Sequence, residues 1–99
     1  MEKINLEYQG KYKIKNRAHV GVVGSSNLEV IFKPSSDNTS TVNITTKFDG
    51  NSEVWKAVLD QFFEEFKCIL DIEINDFGAT PGVVSLRLLQ ALEVAGIDK

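Results

Sequence analysis

Ile4, Leu6 and Tyr8 alternate with polar residues near the start of the chain, the period-two pattern of a strand. Tyr12 and Ile14 extend a second, half-ordered segment after Gln9 and Gly10, which can turn. Residues 20–30 then read VGVVGSSNLEV, two β-branched runs with only Gly24, Ser25, Ser26 and Asn27 between them. This is a hairpin pattern, because Gly and Asn tolerate the positive φ that tight loops demand. Ala18, Val20 and Val22 fall on one face of the entering strand, and Val30 and Phe32 face the same side from the leaving one. Pro34 ends that strand, and Ser35 to Ser40 read as a mobile polar connection, not a domain boundary. Val42, Ile44 and Thr46 alternate with polar neighbours as a half-buried strand.

Asp49, Gly50, Asn51 and Ser52 break the alternation and offer an N-cap, after which the period changes to that of a helix. Val54, Trp55, Val58, Leu59, Phe62, Phe63 and Phe66 form one face, and Lys56, Asp60, Gln61, Glu64 and Lys67 the other. This is the strongest periodic signal in the chain, and its spacing alone accounts for the aromatics as core. Leu70, Ile72 and Ile74 predict another strand. A last helix is expected from Pro81 to Ala95, capped by Thr80, opened by Pro81 at the first helical position and stopped by Gly96. Its core stripe is Val84, Leu88, Ala91, Leu92 and Ala95; Leu86 and Leu89 lie outside it among polar residues. Such placement implies either broad burial or contact with another subunit.

The resulting order, β-β-β-β-α-β-α, predicts an α+β two-layer sandwich. The expected sheet has four to five strands, mostly antiparallel, with both helices on one face. Strands joined by short loops should pair antiparallel, and the strand–helix–strand unit from Thr41 to Asn75 should cross over right-handed if its strands share a sheet. Residues 1–99 are read as a single domain, with 1–17 its N-terminal strand region.

Composition narrows the function. A net charge of −3 leaves no basic footprint for nucleic acid, and Lys3, Lys11, Lys13, Lys15 and Arg17 read as a solvated edge. No apolar run approaches the ~20 residues that cross a bilayer and no signal peptide opens the chain, so a cytoplasmic protein is expected. The single cysteine, Cys68, excludes an internal disulfide and a cysteine-based metal site, and it reads as packed and structural. The single histidine, His19, has no triad or zinc partner in the sequence. Asp71 and Glu73 share a strand face without a third ligand and read as solvated. Gly78, Thr80 and Pro81 make a well-formed strand-to-helix turn, which leaves Asp76 unexplained and a candidate for contact outside the domain.

The hairpin loop holds two hydroxyls at an exposed tip with no base beside them, better suited to modification by another enzyme than to attack on a substrate. Gly21 and Ser25, followed by Leu28, Glu29 and Val30, resemble the attachment segment G-x-x-x-S-G-D of the acyl carrier subunits of malonate decarboxylase and citrate lyase. Ser26 stands where that pattern has glycine, and Asn27 where it has aspartate. The segment from Glu73 to Val84, containing Phe77, Gly78, Ala79, Thr80 and Pro81, is more similar to the malonate branch. The likeness runs from about Ala18 to Ala95.

The resemblance implies a carrier with no catalytic group of its own. It implies a phosphodiester from Ser25 to 2'-(5''-phosphoribosyl)-3'-dephospho-CoA, an arm whose thiol carries acetyl and malonyl groups. The implied partners are an acyl transferase subunit, a decarboxylase subunit and a prosthetic-group transferase, with no nucleic acid and no membrane. Asp76, Leu86 and Leu89 are the candidate partner contacts. Three other readings stay open: a citrate lyase carrier, a relative that has lost its arm, and a loop that binds phosphate noncovalently. Phosphate-cradling loops, however, lead into a helix, and this one leads into a strand.

Overall fold

The computed structural model describes residues 1–24 and 26–98. Its elements are β1 (Glu2–Gln9), β2 (Tyr12–Ile14), β3 (Ala18–Gly21), β4 (Leu28–Pro34), β5 (Thr39–Thr46), α1 (Ser52–Phe66), β6 (Cys68–Asp76), α2 (Pro81–Ala95) and β7 (Ile97–Asp98). The fold is α+β, a mixed sheet of seven strands with two helices. The main layer runs β1-β5-β6-β4-β3, antiparallel at every pair except the parallel β5–β6 pair that α1 connects. The two strands beyond the expected five are short. β2 pairs parallel with Cys68 and Ile69 at the start of β6, and β7 joins antiparallel to β2.

Side-chain alternation divides the sheet into a packed and an open face. Ile4, Leu28, Val30, Phe32, Val42, Ile44, Leu70, Ile72 and Ile74 are buried, whereas the intervening Asn5, Lys33, Asn43 and Glu73 are exposed. Both helices therefore cover one face. α1 contributes Trp55, Leu59, Phe62 and Phe63 to the core, each stabilising the fold by about 1.5–3 kcal/mol through burial. Val54, expected on this face, is exposed at the helix start, and Val58 and Phe66 are only partly covered. α2 has the predicted bounds and buries the predicted stripe. Thr80 Oγ1 accepts from the Val83 N–H at 3.3 Å as its cap. At α1 the cap position is Asn51, and its side chain makes no capping bond.

Two local expectations are corrected. β3 ends at Gly21, so Val22 leaves the strand face and is exposed, as is Val23. β4 and β5, though joined by a short loop, do not pair, because β6 lies between them. The cross-over is held at its base by Ser40, fully buried, whose hydroxyl donates to the Cys68 carbonyl and accepts from the Leu70 N–H, both at 2.9 Å. One hydroxyl thus satisfies two backbone groups where the strands separate.

Candidate functional site

Three connections meet at the edge of the sheet where β6 ends: residues 22–27 between β3 and β4, 47–51 between β5 and α1, and 77–80 between β6 and α2. Pairing puts Leu28 and Thr46 on either side of Asp76, so the first two connections flank the third.

Ser25, the expected attachment residue, lies outside the described residues. Gly21 has φ +86°, and a Cβ there would overlap the carbonyl oxygen of Leu28 across the hairpin. Only glycine fits, for both backbone and steric reasons. The Asn27 N–H donates to the Gly24 carbonyl at 3.1 Å, closing a turn. Ser26 sits at φ 59°, in the left-handed region. In the expected register Ser26 falls on the pattern's glycine, the residue that this φ favours. Asn27 Oδ1 accepts from the Leu28 N–H at 2.8 Å, a bond that an aspartate oxygen would also accept. Ser26 thus holds a left-handed backbone with strain, and Asn27 supplies its bond to the Leu28 N–H without a charge.

The turn is also docked from outside. The Ser26 N–H donates to the Phe77 carbonyl, and the Phe77 N–H donates to the Asn27 carbonyl, both at 2.9 Å. Phe77 is in turn held by Asp76, which is 4% exposed. One carboxylate oxygen accepts from Thr46 Oγ1 at 2.8 Å and the other from the Ala79 N–H at 2.9 Å. Asp76 thus ties together the ends of β5 and β6 and the first residues after them. These internal bonds engage both of its carboxylate oxygens. Gly78 completes the bend at φ +100°, packed against the Phe48 ring, which a Cβ would meet at 2.9 Å. The turn leads into a strand, which leaves no helix N-terminus to cradle a phosphate on the hairpin itself.

The remaining candidates are spread over the molecule. Leu86 and Leu89 are 49% and 47% exposed on α2, so this chain does not bury them. Cys68 is buried in the core. His19 Nε2 lies 2.9 Å from Glu29 Oε2 on the open sheet face, and Asn75 Nδ2 donates to the other Glu29 oxygen at 2.8 Å. Asp71 accepts from Thr41 Oγ1 at 2.7 Å while Glu73 is exposed, and among the described residues no cluster has the makings of a metal site. No described helix is long and apolar enough to cross a membrane.

Sequence reasoning missed Phe48. It lies between β5 and α1, outside any periodic run, and its role at this edge follows only from the chain's path. With Trp55, Val58, Pro81 and Val84 it lines a cavity of about 330 Å³ between the first turns of the two helices, against Asp76 and Gly78.

Comparison with known proteins identifies relatives along the full length. The family profile described as malonate decarboxylase delta subunit (MdcD) matches residues 15–95. The malonate decarboxylase acyl carrier protein of Pseudomonas fluorescens is 41% identical over 99% of this chain and 100% of its own. That of Pseudomonas savastanoi pv. phaseolicola is 42% identical with the same coverage. A chain from the crystal structure of a Pseudomonas malonate decarboxylase hetero-tetramer in complex with malonate superposes with a TM-score of 0.89 at 38% identity, covering 97% of this chain and 100% of that one.

Proposed function

The chain belongs to the malonate decarboxylase delta-subunit family of acyl carrier proteins, and on that premise we propose that it is the acyl carrier subunit of a malonate decarboxylase. The arm it carries is 2'-(5''-phosphoribosyl)-3'-dephospho-CoA, joined to Ser25 Oγ through a phosphodiester. When bound, that group supplies a thiol on which acetyl and malonyl are carried as thioesters. The acyl transferase and decarboxylase subunits act on the cargo, and a separate prosthetic-group transferase installs the arm.

The observation that carries this reading is the turn around position 25. Two positions with left-handed backbone, Gly21 and Ser26, bracket it, and two backbone bonds to Phe77 anchor it. The strands on both sides and the bonds to Phe77 fix the base from which a tether on this loop would start, which lowers the entropic cost of delivery. Tethering then raises the concentration of the cargo at each partner active site to about the millimolar range. The domain's contribution is delivery, and the chemistry belongs to its partners. The exposed Leu86 and Leu89 provide an apolar contact for one of those subunits. The same arm would serve a citrate lyase carrier, but the segment from Phe77 to Pro81 and the full-length relatives favour malonate.

Peptide mass spectrometry after co-expression with the host's prosthetic-group transferase tests the assignment. The arm is expected on the peptide containing Ser25, absent from Ser25→Ala, with the variant still folded. An arm on Ser26 would refute the register, and an arm on neither serine would favour a relative that has lost it. The purified chain alone is expected to turn over neither malonate nor malonyl thioesters; turnover free of partner subunits would overturn the carrier assignment.

A further inference from the structure

β1 lies at one end of the sheet and pairs with β5 alone, so its other side presents a row of backbone N–H and C=O groups that no described strand meets. Its register against β5 is unbroken from Glu2 to Gln9, whereas β3 at the opposite edge has 4 residues and β7 has 2. Proline, bulges and brevity are the usual means of blunting such an edge, and β1 has none of them.

The side chains of β1 carry the remaining control. Ile4, Leu6 and Tyr8 point to the packed face, where Ile4 is buried and the other two are half-buried. Tyr8 is fastened inward, its ring stacked on Phe63 at 4.2 Å and its hydroxyl donating to Asp60 at 2.6 Å. Lys3, Asn5 and Glu7 are exposed on the open face. Opposite them on β5 stand Thr45, Asn43 and Thr41, and neither Lys3 nor Glu7 has an ion pair among the described residues.

An antiparallel neighbour joining this edge must match packed face to packed face, because a slip of one residue turns every side chain over. For a second copy of the chain, the register centred on Asn5 sets Lys3 against Glu7 twice, Ile4 against Leu6 twice, and Asn5 against its own copy. Centring on Ile4 instead puts Lys3 against Asn5, and centring on Leu6 puts it against Gln9. Both shifts leave the charges unmatched. Opposite charges directly across an antiparallel pair favour it, so the strand is complementary to itself in the Asn5-centred register.

We propose that β1 pairs antiparallel with β1 of a second copy about a two-fold axis at Asn5, forming one continuous sheet with the helices of both copies on the same face. The pairing satisfies edge groups otherwise left to water and covers what remains open of Leu6. It holds with or without an arm on the hairpin.

Sedimentation equilibrium of the full chain, at concentrations up to about 1 mM, should show a monomer–dimer equilibrium. Lys3→Glu would face Glu7 of its copy twice, and Glu7→Lys would face Lys3 twice, so each should weaken the dimer about ten-fold or more. Both sites are exposed, and both variants should melt with the parent. Mixing the two variants restores opposite charges at both contacts, as does making both changes in one chain, and either should recover the parent's affinity. A chain that stays monomeric to ~1 mM would overturn the proposal. Dimers indifferent to the single changes, or not recovered by the exchange, would overturn pairing through β1 in this register. Amide protection of β1 that appears only when other malonate decarboxylase subunits are added would assign the edge to a partner's strand and overturn pairing between copies.

Discussion

Replacing Gly21 by alanine tests whether the hairpin turn is as tightly specified as its backbone implies. At φ +86° an L-residue is disfavoured by about 1–2 kcal/mol. The added Cβ would also overlap the Leu28 carbonyl, a backbone atom that cannot rotate away, so β3 and β4 must part at the Gly21–Glu29 pair. Loss of one ladder hydrogen bond adds about 0.5–1.5 kcal/mol. Restriction of the unfolded chain by alanine returns roughly 0.4–1 kcal/mol. The net expectation is a loss of about 2 kcal/mol, which for a domain of this size lowers the Tm by roughly 8–16 °C. Gly24→Ala is the matched control, since a Cβ there meets nothing within 4 Å, and it should change stability by less than about 0.5 kcal/mol. Thermal unfolding followed by circular dichroism, with urea titration for the free energy, measures both. If Gly21→Ala melts within 3 °C of Gly24→Ala, to the nearest ~1 °C, the steric argument is wrong and the hairpin yields more readily than two adjacent strands should.

Ser26→Gly removes the left-handed strain at φ 59° and is expected to raise stability by about 0.5–1 kcal/mol after the glycine's greater unfolded freedom is subtracted, and to be armed at least as well as the parent; a destabilised or unarmed variant would reject the conformational account of the family glycine. Asp76→Ala leaves Thr46 Oγ1 and the Ala79 N–H without their acceptor and should cost about 1–3 kcal/mol, with faster amide exchange at Phe77 and Ser26; unchanged exchange there would mean Asp76 does not organise the turn. Changing Leu86 and Leu89 together to polar residues should leave the Tm within a few degrees of the parent yet weaken assembly with partner subunits, and full-strength assembly would exclude them from the interface. The bonds from Lys56 and then Tyr8 hold the Asp60 carboxyl below its ordinary range, so its contribution is present above that range and lost as pH falls through the lowered value; Asp60→Asn should flatten the acid limb of the stability profile, and an unaltered limb would show the pair to be inert.

The helices and their buried faces were legible in the sequence because helical periodicity, Thr80, Pro81 and Gly96 are local signals that agree with one another. The same holds for the alternation at Val42, Ile44, Ile72 and Ile74, which specifies a strand and its buried face wherever that strand ends up. Sheet order is a different kind of fact. That β6 enters between β4 and β5 is decided by which pairing covers most apolar surface once α1 has crossed over, and no local pattern encodes a neighbour about 40 residues away. The short β2 and β7 exist only because β6 extends beyond its partners and leaves an edge for them to join. Around the turn the division is sharper still. Gly21 and the pair Ser25-Ser26 were visible as residues, yet the overlap with Leu28, the left-handed φ of Ser26 and the docking onto Phe77 are contacts made across strands. Asp76 looked unexplained for the same reason: its partners, Thr46 and Ala79, lie 30 and 3 residues away, and only the folded chain brings both to one carboxylate.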